Sequence, residues 1–528
     1  MNPSLIKRAL AVVVLALGAV AVARHRRPRA RQALGPGSSS PRALGGGTPP
    51  GPASAVTGIT VGEAIQRAAD PSVAPTPAVP TPAAHRPGLS SLRSLSRRRR
   101  GTLAAAALAF LLAAGGALGW YLNARQAGRD VVGSSTVEFV TTDLPPALTV
   151  AVTTQPAAGT TAPRAKPPLP PVIWPTYGFD NRRLRNVPTG PLPPFRTIWS
   201  FRGRALLEFP PTLAYGRLTI ATNHGLLHSI DARTGKAVWT YPSGRCVAAS
   251  PAVAGRVVYA SFMNRPPCNA KGADLDGEVI AFDALTGKIR WRAAVGVTES
   301  SPLVAGGLVV VGDWKGDVTA LAASTGAVVW TFHTGGKVKG AAALADGRLV
   351  IGSYDGSVYA LDPRSGALLW KASAQERIGS RGTFYATPAL AFGRVYIGAT
   401  DGKVYSFGAE SGKLRWSQST GGYVYASAAI WRKSVLVGSY SGAFLSLDAA
   451  TGAEQWRFRA DGPISGSATV IGDVVYVSTL ARRTYALDAA TGKLLWTFPD
   501  GKYAAVITDG EHLYLVGYTR VYAMVPTR

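Results

Sequence analysis

Little in this sequence carries the chemistry that usually marks an active site. Only 16% of its 528 residues are charged, and 29 Asp and Glu stand against 57 Lys and Arg. Carboxylates this sparse offer few of the oxygen ligands that a calcium site needs. Cysteine occurs twice, as Cys246 and Cys268. That excludes a CxxC pair, an adjacent-cysteine disulfide and a CxxCH haem attachment site. His224, His228, His333 and His512 are scattered without metal-ligand spacing, so no metal site is expected. Nothing points to a Ser/His/Asp triad. Low charge beside 60 Gly, 38 Pro and 47% apolar residues favours a turn-rich β protein over a helical one.

The net charge of +28 is unevenly placed. Residues 1–130 hold 17 Lys and Arg and 3 Asp and Glu, so 17 − 3 = +14 precedes residue 131. A sequence pI near 10.4 would ordinarily suggest nucleic acid. Here the charge flanks apolar segments, the pattern of membrane topology signals, and no nucleic-acid partner is expected. Residues 1–96 read as a basic, Pro/Ala-rich, largely disordered segment with a short helix at Val61 to Ala69. Within it the apolar stretch 9–23 fits either a membrane helix or a segment that does not span. Residues 97–124 read as a transmembrane anchor: four arginines, then no charge from Gly101 to Ala124, with Trp120 and Tyr121 at the interface. The positive-inside rule places the arginines in the cytoplasm and the rest of the chain outside. Residues 131–172, rich in Thr and Pro, read as an extended spacer. The globular part is 173–528.

Eight tryptophans organise that part: Trp199, Trp239, Trp291, Trp330, Trp370, Trp416, Trp456 and Trp496. Their spacings are 40, 52, 39, 40, 46, 40 and 40. All but Trp199 follow a turn glycine by four residues, as Trp496 follows Gly492. A second set, Gly225, Gly277, Gly316, Gly356, Gly402 and Gly442, lies ten residues before its turn glycine. Asp-Gly at Asp276, Asp355 and Asp401 predicts tight hairpins. A period near forty built from short strands predicts four-stranded antiparallel β-propeller blades. Seven complete units end at Trp239 through Trp496, and only three strands follow. The strand carrying Trp199 supplies the fourth, so the prediction is an all-β, eight-bladed propeller closed by an N-terminal strand.

AFDALTGKIRW at 281–291, SLDAATGAEQW at 446–456 and ALDAATGKLLW at 486–496 resemble the repeat of the PQQ-type, quinoprotein-like propellers. The resemblance covers about residues 195–528 and extends weakly to Ile173 to Phe201, where WPTYGFDNRR followed by a Trp strand looks like the lead-in of quinoprotein dehydrogenases. It implies that the tryptophans dock each blade on its neighbour. The family includes alcohol and sugar dehydrogenases that use pyrroloquinoline quinone and calcium. It also includes non-catalytic members such as the propeller subunit of the outer-membrane β-barrel assembly machinery. No cofactor is expected here, because the adjacent-cysteine pair and the haem site of many oxidising members are missing. The expected function is a membrane-anchored extracytoplasmic scaffold for envelope proteins or anionic envelope polymers. The alternatives are a quinone-dependent sugar or alcohol dehydrogenase and a ligand-sensing ectodomain.

Function is expected where the repeats differ. Phe209, Ala248, Glu299, Lys339, Tyr385, Tyr425, Ser465 and Tyr503 occupy one equivalent position and predict a ring at the channel mouth. Such a ring cradles a ligand or plugs the hole. Nearby loops carry Arg245, Lys337, Arg377, Arg381, Arg482, Arg483 and Lys502, a basic face for an anionic partner. Asp274, Asp276 and Glu278 alternate and read as a solvated hairpin, with a carboxylate cluster as the other reading. Gly408 and Ala322 stand where other repeats carry Asp, as degenerate copies. Cys246 and Cys268 fall on one face, as a disulfide or as two free thiols.

Overall fold

The computed structural model describes residues 128–141 and 169–527, apart from 271, 273–274, 378–379 and 505, and four helical residues further N-terminal, Ala109, Leu112, Gly115 and Gly116. The segments 1–96 and 142–168, and the rest of 97–124, lie outside the described residues. Among the described residues no helix is long and apolar enough to cross a membrane. The chain forms two compact units, and the one containing 127–528 holds every strand among the described residues.

That unit is an eight-bladed propeller of four-stranded antiparallel blades. Blade 1 runs from the inner strand Thr212–Ala214 through Arg217–Ala221 and Leu226–Asp231 to the outer strand Ala237–Pro242. Blades 2 to 7 repeat this plan and end on the strands of Trp291, Trp330, Trp370, Trp416, Trp456 and Trp496. Blade 8 is composite. Val506–Thr508, Leu513–Val516 and Arg520–Pro526 take their fourth strand from Phe195–Arg202, with Ser200 opposite Tyr522 and Arg202 opposite Arg520. Joining the two ends of the ring in one sheet removes the edge that an open array would expose.

The core lies between blades. Val310, Val318 and Trp330 of blade 3 pack on Leu349, Ile351 and Leu361 of blade 4. The tryptophans do the docking. Trp291 Nε1 donates to Ala323 O at 2.9 Å, Trp370 to Ala409 O at 2.9 Å and Trp456 to Ala489 O at 3.1 Å, each carbonyl on the next blade. Trp199 does the same to Ala232 O at 3.1 Å, so the strand without a turn of its own still docks blade 8 on blade 1. The turn glycine is required twice over. Gly326 has φ +77°, and a Cβ there would lie 2.5 Å from the Trp291 ring.

Two expectations change. Gly277 is not in a tight turn: Asp276–Asp283 is one continuous strand, with Gly277 paired to Val295. The insertion before it displaces the hairpin, and Gly277 stays small because Gly296 O and Phe262 O close on it. The spacer expected at 131–172 is not uniformly extended either. Residues 129–140 lie on blade 5, and Val172–Trp174 adds a strand to blade 1.

Candidate functional site

An arm, residues 172–187, passes the inner strand of one blade after another. Its carbonyls accept the inner-strand amides: Val253 N to Pro175 O at 2.7 Å, Leu344 N to Asn181 O at 2.7 Å and Leu390 N to Arg182 O at 2.9 Å. Ile430 N to Leu184 O follows at 2.9 Å and Val470 N to Arg185 O at 2.8 Å. Asn186–Val187 then pairs in parallel with the inner strand of blade 7. Gly178 (φ +82°) and left-handed Phe179, Arg183 and Arg185 let the backbone curl around the axis.

Arm side chains occupy the axis. Arg183 is fully buried and donates from Nε to Ala342 O at 2.9 Å and from Nη1 to Thr176 Oγ1 at 2.6 Å. Burial, with the charge of Arg185 second, lowers its pKa to about 9. Tyr177 donates to or accepts from Ser467 Oγ at 2.8 Å and lies under the Arg185 guanidinium, 4.5 Å away. Burial opposes ionisation of Tyr177, but Arg185 and the neighbouring serine hydroxyls outweigh it and hold the phenol below its ordinary value.

The predicted ring residues do come together above the arm. Phe209 packs on Tyr177 with ring centres 5.7 Å apart. Tyr385 and Tyr425 meet edge to face at 5.3 Å, and Tyr425 continues to Tyr440 at 5.0 Å. Lys339 Nζ binds Glu299 Oε1 at 3.0 Å, with both side chains buried. The same ammonium sits 4.7 Å over Trp314 and 5.8 Å over Tyr385. Burial, then the charge of Glu299, raises the Tyr385 pKa, so this hydroxyl stays protonated. Ala248 is buried beside Cys246 and Met263, in the cluster against which Phe209 and Trp314 pack. Trp314, Tyr354 and Tyr440 escaped the sequence alignment because they come from second-strand turns. Their signal was an aromatic after the Gly-Asp or Gly-Ser of each second strand.

Phe209, Tyr385, Tyr425, Ser465 and Tyr503 line, with Tyr177 and Arg185, a cavity of about 60 Å³. One water needs roughly 10–15 Å³ and a ligand pocket is about 300 Å³ or more. The space takes a few waters. A tricyclic quinone does not fit it while the arm is in place. Among the described residues no three His, Cys, Asp or Glu converge as metal ligands. The quinone therefore does not fit between arm and ring; a second cavity of about 470 Å³ lies beside the arm, lined by Val172, Pro175, Phe179, Asp180, Asn181 and Val304.

The basic loops are mostly engaged. Arg245 binds Asp276 at 2.7 Å and Glu278 at 3.0 Å, so both carboxylates are ion-paired, with the Asp276 side chain still largely exposed. Asp274 lies outside the described residues. Lys337 stacks on Trp314 at 4.3 Å, Arg482 on Tyr518 at 3.8 Å, and Arg483 faces Asp461 at 3.4 Å. Lys502 is buried over Tyr503 and Tyr518. Cys246 and Cys268 are disulfide-bonded, tying the blade 2 insertion to its inner strand.

The family model described as outer membrane protein assembly factor BamB matches residues 196–265, 275–429 and 420–526. The chain is similar to that factor of Burkholderia pseudomallei (strain K96243), 33% identical over 158 residues, covering 28% of this chain and 38% of that protein. It is also similar to the dehydrogenase subunit of the quinone alcohol dehydrogenase of Komagataeibacter europaeus, 29% identical over 196 residues, 30% of this chain and 25% of that one. The chain thus spans between a fifth and two fifths of the curated relatives it matches. Among solved structures, the quinohemoprotein alcohol dehydrogenase of Comamonas testosteroni superposes with a TM-score of 0.57 at 16% identity, over 67% of this chain and 81% of that one, which shows the fold alone. With its model matched over more than half the chain and its blade geometry in place, this protein belongs to the PQQ-like propeller family described as outer membrane protein assembly factor BamB.

Proposed function

We propose that this chain is a binding scaffold of the cell envelope, tethered to the membrane by residues 97–124 with its propeller outside the cytoplasm, and that it is not a quinone-dependent dehydrogenase. The observation that carries the reading is the narrow space between arm and ring, where Tyr177 and Arg185 with Phe209, Tyr385 and Tyr425 leave about 60 Å³. The ring of Tyr385, Tyr425 and the Glu299–Lys339 pair then acts as packing over the arm. Its outer rim, where Tyr423 is 40% exposed, is the part left to meet a partner. Similarity to assembly factors supports envelope proteins as that partner class, and the excess of basic residues adds anionic envelope polymers.

The test is direct. Full-length protein in detergent is given pyrroloquinoline quinone and calcium, then gel-filtered. The expected result is no retained quinone absorbance and no dye reduction with alcohols or sugars. Retained chromophore with dye-linked oxidation would establish the dehydrogenase reading instead.

A further inference from the structure

In five blades the turn before the tryptophan is held by an aspartate on its own strand. Asp231 Oδ1 accepts from Thr234 N and Oγ1, both at 2.8 Å, and Asp362, Asp448 and Asp488 repeat this with Ser365, Thr451 and Thr491. Asp283 does the same with Thr286 and also binds Arg290, seven residues on, at 2.8 Å. Blade 5 has Gly408 in place of the aspartate, with Ser411 at the threonine position and Arg415 seven residues on.

A carboxylate is nonetheless there. Glu138, 273 residues before Ser411, accepts from Ser411 Oγ at 2.9 Å. It accepts from Arg415 Nε at 2.7 Å as well, and Arg415 Nη2 also binds it. The hydroxyl and the guanidinium are the same two partners that Asp283 holds in blade 2. A Cβ on Gly408 would fall on the Glu138 carboxylate. Gly408 is not among the positive-φ glycines, so its smallness serves the incoming carboxylate and not the backbone.

The rest of the segment lies along blade 5, turning over 135–138 with Glu138 at φ +44°. Val131 exchanges both backbone bonds with Ser417 at 3.1 and 3.0 Å, adding a residue to the outer edge of blade 5. Asp130 binds Lys403, whose side chain is fully buried, at 3.0 Å. Arg394, itself fully buried, donates to Ser134 O at 3.0 Å and to Val137 O and Glu138 O at 2.5 Å. Gly133 N reaches Thr451 O at 2.9 Å, and the segment covers Trp416, which has no exposed surface.

We propose that the outer side of blade 5 is a binding site for an acidic peptide, occupied in cis by residues 129–140, and that Glu138 completes the fifth repeat by supplying the carboxylate its own strand lacks. The repeat is split between two distant parts of the chain. The site recognises a carboxylate at each end of the segment, Asp130 at Lys403 and Glu138 at Arg415, with Arg394 reading the backbone between them. Removing the carboxylates opens the site, and restoring aspartate at 408 closes it.

The experiment uses three full-length proteins: the native chain, the Asp130→Ala/Glu138→Ala variant and Gly408→Asp. Amide exchange over 129–140 should accelerate by about tenfold or more in both variants, the loss expected for a charge-assisted pair. A labelled peptide of residues 127–142 should bind the Asp130→Ala/Glu138→Ala chain, bind the native chain at least about tenfold more weakly, and not bind Gly408→Asp. The Gly408→Asp chain should keep its unfolding midpoint, because the new carboxylate takes over Ser411 and Arg415. Unchanged protection of 129–140 in Gly408→Asp, or equal peptide binding to that chain and to Asp130→Ala/Glu138→Ala, would overturn the proposal. Were Gly408→Asp to lose its fold, peptide that fails to bind Asp130→Ala/Glu138→Ala would overturn it alone.

Discussion

Replacing Lys339 with methionine should destabilise the propeller by about 4 kcal/mol, because removing one partner of a buried ion pair costs roughly 3–5 kcal/mol. The case is severe here. Glu299 is 2% exposed, its Oε1 bonds Lys339 at 3.0 Å, and its Oε2 has no hydrogen-bond partner. Without the ammonium, the carboxylate stays inside a wall of Trp314, Tyr354 and Tyr385 with nothing to neutralise it. Unfolding entropy of about 2.1 cal/mol/K per residue over roughly 350 propeller residues gives about 0.7 kcal/mol/K, so 4 kcal/mol lowers the midpoint by about 5–6 °C. Adding Glu299→Gln to Lys339→Met removes the stranded charge and should recover more than half of that drop. Scanning calorimetry of the full-length proteins at neutral pH measures both. A shift below about 1 °C for Lys339→Met, or a double variant no better than the single, would refute the reasoning that this pair is buried packing.

Two further outcomes follow from the same structure. The Cys246–Cys268 bond closes a loop with sequence separation 22. Loop-closure entropy for that length is worth roughly 3 kcal/mol, so Cys246→Ser or reduction should lower the midpoint by about 4–5 °C. A midpoint indifferent to reductant would count against it. His228 is buried, with Nδ1 3.0 Å from Thr240 Oγ1 and its ring 5.1 Å from Phe201. Burial, then the charge of Arg204, lowers its pKa from 6.5 to about 4. The unfolded chain therefore takes up a proton below pH 6.5 that the folded chain refuses until about pH 4. The stability this neutral ring contributes is full above pH 6.5 and is lost as pH falls towards 4. His228→Gln should flatten the midpoint-against-pH curve over that window, and an identical slope in the variant would show that His228 does not govern it.

The ring was legible because its parts repeat. Each turn glycine, each small inner residue and each tryptophan answers the same steric demand in every blade, so eight weak signals align into one strong period. Trp199 could be assigned to blade 8 by counting alone, and Trp199 Nε1 on Ala232 O shows the count at work. The ring residues were legible for the same reason, since Glu299, Lys339, Tyr385 and Tyr425 share one repeat position and so one height on the axis. The arm and the segment at 129–140 were not, because neither has a period. Arg183 is buried by bonds to the main-chain acceptors Ala342 O and Tyr177 O, which no side-chain pattern announces.

One clue to the second segment was present all the same. Glu138 is one of only three acidic residues between 101 and 179, and Gly408 is a missing carboxylate. Absence and surplus matched, but each looked like noise by itself. The departures from the repeat divide on this point. Arg482 takes φ +64° where other blades use glycine, a conformation that costs of order 1 kcal/mol in a bulky residue. It stacks 3.8 Å over Tyr518 of blade 8. The blade 2 insertion ends in a disulfide to its own inner strand, and Gly408 admits Glu138. Ala322 alone gains no outside partner, its turn closing with Gly326 N on Ala322 O at 2.7 Å. Degeneracy by drift should leave turns like that of Ala322. A departure that breaks a local rule and acquires a contact from another part of the chain is a different event, and Gly408, Arg482 and Cys268 are of that kind. In a propeller whose eight blades do the same structural work, those three positions, with the unequal residues of the axial ring, are where this chain differs from a bare scaffold.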